Sequence, residues 1–134
     1  MTEEVDHAVV LGDLRFPVSA EAPHAAREMV GLIFDVWSIA DPHTAQLCVS
    51  ELASNVFNHA RIHGSHMRVM VRQRDDKIRI EVYDASAGEP EMNADTSIRE
   101  SGNGLFLVDA LSSNWGFQFI PSGKVVWCEL LLMA

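Results

Sequence analysis

The chain has 134 residues, 48% of them hydrophobic, with a formal net charge of −9 and a pI of about 4.9. So acidic a chain lacks the basic footprint that binds nucleic acid or an anionic membrane surface, and no apolar run approaches the ~20 residues that span a bilayer. The length fits one domain over residues 1–134, and the acidic start "MTEEVDHAVV" is unlike a secretory leader, so a soluble, cytoplasmic protein is expected.

Residues 8–16, "AVVLGDLRF", mix apolar and polar positions like a strand, and Pro17 should end it. Residues 20–38 read as a helix: Pro23 falls in the first turn, and Val30, Ile33, Phe34 and Trp37 recur at helical spacing. Asp41 is a good N-cap and Pro42 a good first residue for a second helix over about 42–61, with Gly64 near its end. "HMRVMVRQ" and "IRIEVYD" alternate around the turn "RDDK", which predicts an antiparallel hairpin with Met67, Val69, Val71, Ile78, Ile80 and Val82 facing the core. Residues 85–104 are rich in Ala, Ser, Gly, Asn and acids and read as a long loop. A short helix "LFLVDALS" follows, then a second hairpin, "WGFQFI" and "VVWCELLLM" around "PSGK". Helices segregated from a mostly antiparallel, mixed sheet make an α+β two-layer sandwich with the helices on one face. Cys48 and Cys128 each lie in an apolar run and read as buried reduced thiols.

Three places break the pattern. In "SELASNVFNHA", Glu51, Asn55 and His59 are four apart and share a helix face, with Asn58 beside them. Leu52, Val56 and Ala60 form a separate apolar stripe, with Val49, Ala53 and Phe57 near it. A carboxylate and an amide oxygen one turn apart offer hard oxygens, which suit Mg²⁺ alongside water and phosphate. The same Glu can orient or deprotonate a nucleophile. A zinc reading of His59, His63 and His66 is disfavoured, because Gly64 should end the helix before His66 and no Cys lies in that cluster.

The second break is Asp84, a carboxylate at a strand end followed by the small residues of "ASAGEP". When ionised it only accepts hydrogen bonds, which suits an exocyclic amine such as that of adenine. The third is Gly102 and Gly104, which precede an apolar helix and offer backbone N–H groups to phosphate. No "GK[ST]" follows them and no strand immediately precedes them, so this is neither a P-loop nor a Rossmann fingerprint.

Taken in order, "SELASNVFNHA", "VYDASAG" and "SGNGLFLVDAL" resemble the N, G1 and G2 boxes of the Bergerat-fold (GHKL) ATPases, the superfamily of gyrase, heat-shock chaperones and sensor histidine kinases. From about residue 14 to the end, the chain looks most like the stand-alone anti-sigma-factor serine kinases. The resemblance implies ATP and Mg²⁺ as ligands, with Glu51 as the activating base and Asn55 as the Mg²⁺ ligand. It implies Asp84 as the adenine contact, Gly88 as the residue that lets the ring sit close, and Gly102 and Gly104 at the phosphates. Asn58, His59, Ser86, Asn103, Leu105 and Lys124 complete the expected nucleotide contacts. Residues 89–101 would form a short lid, with Arg99 its one obvious cation. Ser86 stands where the family has a glycine, and Ser122 and Lys124 stand near a position where many relatives have Ser or Thr. The implied partners are a sigma factor and a STAS-type antagonist serine, docked on helix 20–38 with Arg27 as a candidate contact, and a homodimer through the N-terminal strand.

Overall fold

The computed structural model describes residues 8–59, 65–84 and 104–132. Among these residues five strands and three helices follow in the order β1 (Val9–Pro17), α1 (Ala22–Val36), α2 (His43–His59), β2 (His66–Arg74), β3 (Lys77–Asp84), α3 (Gly104–Leu111), β4 (Asn114–Ile120) and β5 (Gly123–Leu131). The sheet order is β1-β2-β3-β5-β4. Every pairing among the described residues is antiparallel, so the expected mixture with parallel pairing is not seen there. Pro17 is the last residue of β1 rather than the residue after it, at an edge strand where a missing N–H is tolerated.

Period-two alternation puts one side of the sheet in the core. Met67, Val69, Val71, Ile78, Ile80, Val82, Val126 and Cys128 are buried beneath the helices. α1 packs on β1, α2 on β3 and β5, and α3 on β4, with α2 between α1 and α3. The opposite side of the sheet carries no described helix and is polar. There Arg68 holds Asp13 through two bonds of 2.8 and 2.7 Å. Arg72 and Arg79 donate to Glu81 at 3.1 and 2.8 Å, and Tyr83 Oη donates to it at 2.9 Å. The Arg79 guanidinium also lies 4.1 Å from the Trp127 ring centroid.

α1 ends earlier than its periodicity predicts. The Ile39 N–H bonds the Phe34 carbonyl at 2.8 Å while Ser38 takes a left-handed φ of 57°, a Schellman-type stop in which Ser fills the usual glycine position. At the other end Pro23 sits in the first turn, as expected. Both thiols are fully buried and reduced, as the sequence predicts.

Candidate functional site

The polar seam lies on α2, whose rotation is fixed by burial. Ala45, Cys48, Val49, Leu52, Ala53 and Val56 recur every three or four residues and all sit in the core. Their burial leaves Glu51 and Asn55 on a flank, half-buried, and Asn58 exposed. Phe57 departs from the expected apolar stripe: it is 40% exposed, turned past the edge of the buried face. Asp41 Oδ1 accepts the His43 N–H at 3.3 Å, but from a left-handed φ of 56°, and the Pro42 carbonyl accepts the Gln46 N–H at 2.8 Å, so Asp41 stands one residue ahead of the N-cap position expected of it.

Burial pushes the Glu51 carboxyl above its ordinary range, and the positive charge of Arg27 partly opposes the shift. A raised carboxyl pKa is what a proton acceptor at neutral pH needs. Arg27, expected only as a surface contact of α1, therefore lies within electrostatic reach of Glu51. The two helices are tied at this point, because Gln46 Nε2 donates to the Arg27 carbonyl at 3.1 Å.

Asp84 ends β3 on the core-facing side, in phase with Ile78, Ile80 and Val82. Directly across from it on β5 stands Lys124. The Lys124 Nζ is 3.2 Å from Asp84 Oδ2, and the two side chains are only 6% and 5% exposed. A two-residue turn, Pro121–Ser122, sets this register, and Gly123 carries the positive φ of 145° that starts β5. The sequence marked both residues singly, but β3 and β5 are far apart in the chain, and no local pattern announces their register.

Gly104 opens α3, and Leu105 is buried in the core, so Leu105 has only its backbone to offer a ligand. α3 is pinned to β4 where Trp115 Nε1 donates to Asp109 Oδ1 at 2.8 Å. Ser86, Gly88, Arg99, Gly102 and Asn103 lie outside the described residues, as does the expected lid, and so does the side chain of His59. A cavity of about 240 Å³ adjoins Asp84 at the strand ends, but neither Glu51 nor Asn55 lines it. The larger cavity, about 560 Å³, lies on the polar side of the sheet around Arg72, Arg79, Glu81 and Glu129, and no described residue of the three motifs lines it.

Residues 18–129 match the family described as the histidine kinase-like ATPase domain. The chain belongs to that family. No protein of curated function matches it. The ATPase domain of this GHKL type is an ATP-binding fold, and the antiparallel sheet with three helices conforms to it.

The donors on α2 fit the Mg²⁺ that usually accompanies ATP in this family. Asn55 would offer its hard amide oxygen, with the Glu51 carboxylate one turn before it. Among the described residues no group of three or more His, Cys, Asp or Glu could cage a metal alone. A site with one or two protein oxygens, completed by water and nucleotide phosphates, is the coordination Mg²⁺ prefers. Among the described residues no helix is long and apolar enough to cross a membrane.

Proposed function

We propose that this ATPase domain is a regulatory protein kinase that moves the γ-phosphate of ATP to a serine of a protein partner. The observation that carries the proposal is Glu51: half-buried, its carboxyl raised by burial, one helical turn before the Asn55 amide. In this reading Asn55 would hold Mg²⁺, which would supply positive charge for the phosphoryl transfer. The serine oxygen bonds to the γ-phosphorus as the bond to the β–γ bridging oxygen breaks. ADP leaves, and Glu51 takes the hydroxyl proton. Resemblance supplies the partner class, a STAS-type antagonist whose phosphorylation frees this domain to hold a sigma factor. The exposed side of α1 supports a docking role, since Leu32 and Val36 stand in water one turn apart. A homodimer through β1 belongs to the same proposal.

A second reading, a nucleotide-gated binding module without transfer, draws support from Asp84 being already paired with Lys124. Incubating the protein with γ-labelled ATP and candidate antagonists separates the two. Serine-linked label that disappears in Glu51→Ala, with ATP binding kept, is the expected result. Transfer that persists in Glu51→Ala would remove Glu51 from the role of base.

A further inference from the structure

The cavity of about 560 Å³ lies on the side of the sheet that carries no described helix, and its size is that of a small-molecule site. Four of the chain's ten Lys and Arg residues line it: Arg72, Arg74, Lys77 and Arg79. Strand register sets them in two rows. Arg72 of β2 stands directly across from Arg79 of β3, and Arg74 directly across from Lys77. Like charges opposed across a strand pair are destabilising. An anion placed between them reverses the sign.

The inner row has its anion. The Glu81 side chain is only 9% exposed, and it accepts from Arg72 Nε with Oε1 and from Arg79 Nε with Oε2. One carboxylate thus joins two opposed cations, one oxygen to each. Glu129 adds a contact to Arg79 Nη1 at 3.1 Å. The outer row differs. Among the described residues neither Arg74 nor Lys77 makes an ion pair. Asp75 and Asp76 join the lining at the hairpin turn, but neither carboxylate pairs with these two cations. A single exposed cation needs no partner. Two in register, beside a cavity where a buried carboxylate already fixes two guanidiniums, make a donor set for an incoming anion.

We infer that this cavity binds a phosphate-bearing small molecule, with the phosphate joining Arg74 to Lys77 in the outer row as Glu81 joins Arg72 to Arg79 in the inner one. A phosphate monoester carries nearly two charges and three acceptor oxygens. It can meet both outer cations and still turn an oxygen toward the inner row, which a two-oxygen carboxylate cannot. Arginine supplies a planar fork and lysine a point charge, and both bind phosphate well. The cavity is larger than a phosphate, so an organic body fits with it. The site lies across the sheet from α2, and the inference stands apart from the nucleotide proposal.

Pyrophosphate at low salt and without Mg²⁺ is the probe, followed by calorimetry and by amide shifts in isotope-labelled protein. Binding should shift the amides of Arg74 and Lys77 and weaken as salt rises. It should weaken by roughly tenfold or more in the double variant Arg74→Gln, Lys77→Gln. Both residues are exposed, so that variant should keep the fold. Citrate, which offers carboxylates alone, should bind more weakly than pyrophosphate. Shifts confined to α2 and the start of α3 would put the anion at the proposed nucleotide site, which overturns the inference and leaves the nucleotide reading standing. Undiminished binding in the double variant, citrate binding more tightly, or no binding at millimolar pyrophosphate overturns it as well.

Discussion

Two glutamates show how burial and partners set a carboxyl in opposite directions. Burial pushes Glu51 up, against the weaker pull of Arg27. Burial would raise Glu81 as well, but the hydrogen bonds from Arg79, Tyr83 and Arg72 outweigh it and hold that carboxyl below its ordinary value of 4.5. The consequences for stability have opposite signs. For Glu51 the contribution is fully present below the unfolded value and is lost as pH rises through the raised one. Glu51→Gln should therefore melt higher than wild type near pH 7.5, with the gain shrinking toward pH 4, read by thermal melts across that range. For Glu81 the contribution is present above the unfolded value and is lost as pH falls through the depressed one. Glu81→Ala should cost about 2–3 kcal/mol at neutral pH, because it strands two guanidiniums that Glu81 now holds. Denaturant melts check this, and the penalty should fade on acidification.

At the scale of elements, the hairpins were legible because register follows from alternation and a tight turn. Met67, Val69 and Val71 face inward with Ile78, Ile80 and Val82, as their period-two spacing predicts. α2 was legible from its apolar positions three and four residues apart, but Phe57 was not. Its position at the margin of the apolar face is settled by where the neighbouring elements stop, which helical spacing does not encode. The end of α1 escaped for a related reason: Ser38 does a glycine's work there, held by the Ile39-to-Phe34 bond. Gly12 was equally silent. It lies beside a bulge in β1, and a side-chain carbon placed there would meet Ile33 Cδ1 at 2.5 Å and Met29 Cε at 3.3 Å. β1 and α1 thus approach as closely as they do because residue 12 has no side chain. Gly12→Val should cost about 1–3 kcal/mol by overpacking, measured by chemical denaturation. An unchanged midpoint would mean that the α1–β1 contact is looser than described.

Across the whole molecule the two sides of the sheet divide the labour. The polar side carries a closed network of charges around Glu81, and the helix side carries the core and, at the strand ends, the Asp84–Lys124 pair. The candidate site draws on both sequence-local and long-range placement. Glu51 and Asn55 could be found from one helix, since a single spacing rule aligns them. The pairing of Asp84 with Lys124 and the approach of Arg27 to Glu51 required the assembled sheet and the packing of α1 on α2. The central claim is that the polar seam of α2 holds magnesium and nucleotide. Calorimetric titration of ATP, with and without Mg²⁺, against wild type and Asn55→Ala tests it most directly. Magnesium-dependent binding that is lost in a folded Asn55→Ala protein is the predicted result. No binding at millimolar ATP, or binding indifferent to both Mg²⁺ and Asn55, would contradict it.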